Sequence, residues 1–209
     1  MRDDYLFFEG LMGSGKTTAA IALAYEEWKE NGIKVISNDH LNFDSTHFDI
    51  AWFLEHLVDA EMENCILFLD EMYQIADSRS SATKLNKLFT YFIVQSRKRG
   101  VDIYICTHHL DHIDLRLRRA VDIRGACRFY PENPCKKCKG SGEYLGRPCD
   151  RCLGYGQLGW TRVSFLDRRL RRRYSLELFG PKYWHLFNTK ERIPIQARIL
   201  QGIDTEVVI

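Results

Sequence analysis

Hydrophobic residues fall into two alternating rhythms along the first part of the chain. Short apolar runs at Tyr5–Phe8, Ile33–Ile36, Cys65–Leu69 and Val101–Cys106 are bounded by turn or charged residues, which predicts buried strands. Between them, helical spacing covers Lys16–Asn31, closed by Gly32, then a segment from about His47 to Met62 and one from about Ala82 to Arg99. In the last, Leu85, Leu88, Phe89, Phe92 and Ile93 recur at i, i+3, i+4, i+7 and i+8 before Gly100, the residue type that most readily takes the left-handed turn ending a helix. Strands alternating with helices predict an α/β fold with a mainly parallel central sheet and helices on both faces. Such sheets bind ligands at the carboxyl ends of their strands.

The rhythm breaks after Arg124. Gly140, Gly142, Gly146, Gly154, Gly156 and Gly159 crowd a cysteine-bearing stretch without periodicity. Strand patterns return at Trp160–Leu166 and Arg173–Leu178, and Tyr183–Phe187 reads as a short helical turn. The expected organisation is one α/β body over 1–130 and 157–209, interrupted by a small insertion at 131–156. A chain of 209 residues is long enough to bury one continuous core.

Composition changes this picture little. The chain is 45% hydrophobic and 28% charged with a net charge of +2, too small to name a partner. Local charge is more informative: Arg162, Arg168, Arg169, Arg171, Arg172 and Arg173 cluster densely enough to meet a polyanion, or simply to solvate a turn between strands. The apolar run after Met1-Arg2-Asp3-Asp4 is too short for a secretory signal, and no run approaches the ~20 residues that cross a bilayer. A cytoplasmic protein is therefore expected. Seven cysteines, four of them in Cys-x-x-Cys pairs, favour a metal over disulfides in such a chain.

The strand ends carry the chemistry. Gly10-Leu-Met-Gly13-Ser14-Gly15-Lys16-Thr17, followed by Thr18, fits Gly-x-x-x-x-Gly-Lys-[Ser/Thr] between a predicted strand and a predicted helix. In such a loop, backbone N–H groups turn inward onto the phosphates of ATP and the helix start adds positive potential. Lys16 would reach the β- and γ-phosphates and Thr17 would ligate Mg²⁺. About 50 residues later the run Ile66–Leu69 ends in Asp70-Glu71: Asp70 is expected near the Mg²⁺, and Glu71 as the group that polarises an attacking water. The next strand end, Thr107-His108-His109, is expected between Asp70 and the γ-phosphate, with Thr107 or His108 sensing its loss. A metal site among His108, His109 and His112 lacks the wider ligand geometry. Arg97 and Arg99 either compensate a helix dipole or reach a neighbour's γ-phosphate as an arginine finger; Arg79 is a further candidate.

Cys135, Cys138, Cys149 and Cys152 offer four thiolates across a ten-residue loop, the set that holds structural Zn²⁺. The module is expected either to staple the insertion or to present Lys136, Lys137, Lys139, Arg147 and Arg151 to nucleic acid. Its 22 residues resemble the Cys-x-x-Cys-x-Gly-x-Gly repeats of DnaJ-type chaperones. Cys65, Cys106 and Cys127 read as core residues.

The order from Gly10 through Asp70-Glu71, Arg97-x-Arg99-Gly100, Thr107-His108 and Ile113-Asp-x-Arg-x-Arg118 resembles the FtsK–HerA superfamily of DNA-pumping ATPases. Within it, the order is most similar to the minimal genome-packaging ATPases of membrane-containing and archaeal viruses, with the Zot-like phage ATPases as relatives. The resemblance implies a RecA-like fold, oligomeric rings, ATP hydrolysis coupled to movement of double-stranded DNA, and a capsid or membrane-protein partner at a virion vertex. His108 stands where that superfamily usually has glutamine, and the cysteine module is not among its general features. Two other readings stay open: a type II thymidine kinase-like enzyme, which shares the Gly-x-Met-x-Ser-Gly-Lys-Thr form, and a zinc-stabilised assembly protein using ATP as a switch.

Overall fold

The computed structural model describes residues 4–56, 62–71 and 84–188. The four predicted strands form β1 (Tyr5–Glu9), β2 (Lys34–Ser37), β4 (Cys65–Leu69) and β5 (Asp102–Thr107), with a two-residue β3 (Thr46–His47) beside β2. They join β6 (Ile123–Glu132), β9 (Leu158–Asp167) and β10 (Arg172–Phe179) in one sheet of order β10-β9-β6-β1-β5-β4-β2-β3. From β6 to β3 every pairing is parallel; β9 and β10 complete the sheet as antiparallel strands. A separate small hairpin pairs β7 (Glu143–Tyr144) with β8 (Arg147–Pro148).

Alternation along each buried strand supplies both faces. Leu6, Phe8, Ile66, Phe68 and Tyr104 pack against α1 (Lys16–Asn31), whose Ala19, Ala20, Ala22 and Ala24 allow close approach to the sheet. Tyr5, Phe7, Leu67, Leu69, Ile103 and Ile105 pack on the other side with Phe53 of α2 (Ile50–His56), Phe92 and Ile93 of α3 (Lys84–Ser96) and Leu117 of α4 (Leu115–Ala120). Gly32 and Gly100 both sit at φ 66° and stop the elements before them, as their placement predicts. The helix expected up to Arg99 passes into a 3₁₀ turn at Arg97–Arg99. The helix expected from about His47 begins at Ile50, because Thr46–His47 pair with β2 as β3; Arg79 and residues 57–61 of that expected helix lie outside the described residues.

β6 runs through the segment where the sequence pattern loses its rhythm. Gly125 and Pro131 interrupt its alternation, yet it pairs with β9 over ten residues, from Ile123↔Asp167 to Glu132↔Leu158. Because β6 lies parallel to β1 and outlasts it beyond the Glu9↔Ala126 pair, this hairpin projects past the sheet's carboxyl edge. The cysteine module sits at its tip.

Candidate functional site: a phosphate cradle at the carboxyl edge of the sheet

β1 delivers the chain to Gly10, and the loop ends at Gly15, which caps α1 in the left-handed conformation (φ 85°). A side chain at Gly15 would be strained there and would also meet the Thr161 hydroxyl at 2.3 Å. The first helical bond runs from Ala19 N–H to Gly15 C=O at 2.9 Å. Lys16 is buried and folds back over the loop, donating to Gly10 O (3.0 Å) and Leu11 O (3.1 Å), with its Nζ 3.3 Å from His108 Nδ1. An ammonium has no acceptor, so His108 Nδ1 accepts in this pair. Phosphate oxygens compete for the same Lys16 protons. Ser14 and Thr18 are buried around the turn.

The sheet order brings the remaining groups together. β5 lies between β1 and β4, so the residue after β5 stands between the loop and the acidic strand. Thr17 Oγ1 donates to Asp70 Oδ2 at 2.7 Å. Burial pushes the Asp70 carboxyl above its usual range; the Thr17 hydroxyl and the Glu71 N–H oppose this, while the Glu71 charge adds to it. Thr17 and Asp70 present hard oxygen donors side by side, the set that suits Mg²⁺. Glu71 takes a left-handed backbone (φ 50°), an uncommon conformation for a side-chain-bearing residue, at the end of the acidic strand. Thr107 is buried below, its hydroxyl directed to His109 O at 3.4 Å.

The sequence reading overlooked Asn38. Its amide donates to Asp70 O (2.9 Å) and accepts from Asp70 N–H (2.8 Å), extending the β2–β4 pairing by one side chain and fixing the acidic strand end. Its signal was legible, because Asn38-Asp39 follows a buried strand just as Asp70-Glu71 does.

Arg97 occupies the other edge. Its Nη2 lies 2.7 Å from both carboxylate oxygens of Asp122, and its guanidinium lies 4.9 Å from the Tyr5 ring centroid. Asp122 also accepts from Tyr5 N–H at 3.2 Å. This clasp joins the start of β1, the start of β6 and the end of α3, at the amino edge of the parallel strands. The arginine run is likewise partly engaged: Arg168 donates to Val121 O, Arg169 pairs with Asp4, and Arg162 pairs with Glu177. Arg171, Arg172 and Arg173 are exposed at that edge.

The four cysteines converge as expected, with all their sulfurs within 4.8 Å of one another and every residue buried. They are the only such cluster among the described residues. Tetrahedral Zn²⁺ with Zn–S of about 2.3 Å requires sulfurs about 3.8 Å apart; Cys138 and Cys152 are 3.7 Å apart. The two Cys-x-x-Cys-x-Gly-x-Gly turns mirror each other. Cys149 N–H bonds Gly142 O and Cys135 N–H bonds Gly156 O, both at 2.8 Å. Burial raises the Cys138 thiol, but the N–H groups of Gly142 and Gly140 and the neighbouring thiols bring it down to about 6. Cys152 is pushed up to about 11, by burial and then by the other thiols against the Gly156 N–H. Four buried thiols converging this closely, with backbone N–H groups turned onto their sulfurs, are suited to a divalent metal. Burial first, then the Asp102 and Glu9 charges, push Cys65 and Cys127 up to about 12 against Lys34 and Lys16, as befits core thiols. Lys137 pairs with Asp150 and Arg151 with Glu132, leaving Lys136, Lys139 and Arg147 as the module's other exposed cations.

A family profile described as ATPase family associated with various cellular activities (AAA) matches residues 6–128, from β1 through the loop, the acidic strand and β5 into β6. The chain belongs to the AAA family of ATPases. A curated relative, the replication factor C small subunit of Picrophilus torridus, is 32% identical over 84 residues, which cover 38% of this chain and 26% of that protein. This AAA ATPase thus spans about a quarter of that relative's length. Its fold is similar to the N-terminal domain of zonular occludens toxin from Neisseria meningitidis, with TM-score 0.59, 17% identity, and 88% and 98% of the two chains covered. It is also similar to the genome-packaging NTPase B204 of Sulfolobus turreted icosahedral virus 2, with TM-score 0.55, 16% identity, and 84% and 98% covered. These likenesses establish a shared fold, the one the order of motifs implies. No described helix is long and apolar enough to cross a membrane.

Proposed function

We propose that this AAA ATPase hydrolyses ATP to move double-stranded DNA, as the motor of viral genome packaging. The observation that carries the reading is the insertion of β5 between the loop strand and the acidic strand, which sets His108 3.3 Å from Lys16 while Thr17 bonds Asp70 on the other side. A group so placed exchanges a hydrogen bond with the very lysine that holds the γ-phosphate, so hydrolysis changes the contacts of β5 and whatever β5 carries. The fold shared with the packaging NTPase B204, covering 98% of that chain, supports the same reading.

In this scheme the loop N–H groups and Lys16 hold the phosphates, and Thr17 and Asp70 hold Mg²⁺, which screens phosphate charge when bound. Asn38 fixes the backbone of Asp70. Glu71 accepts a proton from the attacking water, and His108 reports the γ-phosphate through Lys16. The chain then divides into an ATPase body, 1–130 and 157–209, and an insertion, 131–156, whose four cysteines hold one structural Zn²⁺. Rings of subunits in the host cytoplasm or on the virion, docked on a capsid or membrane protein, complete the proposal. Arg171–Arg173 and the module's Lys136, Lys139 and Arg147 are the exposed cations offered to phosphates. Arg97 and Arg99 are the finger candidates; moving Arg97 to a neighbour requires its pair with Asp122 to open.

The test is the ATPase rate with and without duplex DNA. Duplex should raise it several-fold, and Glu71→Gln should keep ATP binding while losing turnover. An unchanged rate on DNA, or transfer of phosphate to thymidine in a parallel radiolabel assay, would sink the motor. Arg97→Ala in isolated chains separates clasp from finger: a loss of stability without loss of residual hydrolysis leaves the finger role to the assembled ring. The resemblance to Zot-like phage ATPases implies a second reading, extrusion of a phage particle by the same motor.

A further inference from the structure

Beyond the phosphate cradle lies a cluster of rings that the ATPase motifs do not use. Phe129, Tyr155 and Trp184 come from three separate segments: β6, the second cysteine turn and a 3₁₀ turn after β10. Tyr155 meets Trp184 edge to face, with centroids 5.2 Å apart and planes at 89°. Phe129 lies 6.5 Å from Trp184 at 57°. All three remain partly open to solvent, Tyr155 at 40% exposure. Two glycines clear space for the group. A Cβ at Gly159 would stand 2.1 Å from the Phe129 ring, and one at Gly180 would stand 2.7 Å from the Trp184 indole.

The cluster is built onto the loop. Phe129 pairs across the ladder with Thr161, so the two share a face of the sheet; Thr161 is the residue that fills the space beside Gly15. Two residues before Phe129 on the same strand, the Cys127 backbone carbonyl stands 2.8 Å from where a Cβ at Gly10 would be. The acidic strand end and His108 lie on the β5–β4 side of the loop, so the γ-phosphate points that way. A nucleotide lying across the loop must then send its other end toward β6 and β9, where these rings stand. Aromatic faces are the general platform for nucleobases, since every base has a π-face to stack.

We propose that Phe129, Tyr155 and Trp184 form the base-binding subsite of the ATPase, stacking the purine of a nucleoside triphosphate, with one wall supplied by the cysteine module. The inference rests on the phosphate cradle reading, and it gives the insertion a role in ligand binding in addition to its fold. Because Tyr155 follows Cys152 by three residues, its position depends on the folded turn around that sulfur, whose Gly156 N–H donates to Cys152 Sγ at 3.3 Å.

Two probes separate base from phosphates: ATP and inorganic tripolyphosphate, each titrated by calorimetry against the full chain. Tyr155→Leu should weaken ATP roughly tenfold, the scale of one lost stacking contact, and leave tripolyphosphate unchanged. Tyr155→Phe should bind ATP as the parent does. In the parent, ATP but not tripolyphosphate should quench the fluorescence that Trp184→Phe removes. Equal losses for both probes would assign Tyr155 a purely structural part and overturn the subsite, as would no loss for either. If the parent binds neither probe, the cradle itself falls and takes the subsite with it.

Discussion

The phosphate loop and the cysteine turns are both glycine-rich and both bend through left-handed backbone, yet they are held in opposite ways. Gly10 to Thr17 is fixed from outside. β1 fixes its entry, α1 its exit, and Thr161 and the Cys127 carbonyl pack behind it. The cysteine turns enter from the end of β6 and leave into β9, but what they enclose is different. Their buried interior is the four sulfurs themselves with Leu158, flanked by Trp160 and Phe179. An anion site can therefore be shaped in advance by the fold around it, whereas this cation site must serve as its own core. The phosphate loop should keep its shape without its ligand, and the cysteine turns should not.

The largest expected contrast comes from Lys16→Ala. Calorimetric ATP affinity should fall at least about a hundredfold, as expected for losing a charge-assisted contact to phosphate, while the thermal unfolding curve barely moves. Chelation should do the reverse at the other site. About one zinc per chain should be released, and limited proteolysis should then cut within 133–157 while the sheet stays resistant. Resistance of both regions without metal would break the comparison.

Finer substitutions sharpen it. A Cβ at Gly142 or Gly156 would meet Gly154 O or Gly140 O, each at 2.3 Å. The mirrored turns therefore predict matched penalties of about 2–4 kcal/mol for Gly142→Ala and Gly156→Ala, from overpacking added to backbone strain. Competition against a chelator reads this, and unequal values would refute the pseudo-symmetry. Within the loop, Gly15→Ala should cost about 2–3 kcal/mol, because Thr161 blocks it. Gly13→Ala meets no atom within 4 Å, so only its φ of 70° opposes it, at about 1 kcal/mol by chemical denaturation.

Features encoded locally were legible in the sequence. The cradle, the acidic strand end, the cysteine pairs and the glycine stops each depend on spacing within a few residues, and Cys65–Leu69 is a strand over just those bounds. The mainly parallel sheet with helices on both faces also followed from strand–helix alternation. What escaped the reading was created by pairing across long sequence separations. β6 hides behind Gly125 and Pro131, because its partner β9 and not its own pattern makes it a strand. Thr161 matters only because it arrives beside Gly15. Arg97 reads as a free cation until Asp122, 25 residues on, folds next to it. Half of the arginine cluster met carbonyls and carboxylates of its own chain for the same reason.

The hairpin of β6 and β9 outlasts β1 by six pairs beyond Ala126, from Cys127 to Glu132, an overhang of about 20 Å at the usual strand rise. A two-stranded ladder of that length, seated at Thr161 and the Cys127 carbonyl, works as a pointer whose pivot is the phosphate loop. A tilt of about 5° at the pivot sweeps its far end through nearly 2 Å, more than a third of the spacing between neighbouring strands. Small adjustments around Gly10 and Gly15 are thus magnified at the cysteine turns, which stand at the far end of that ladder.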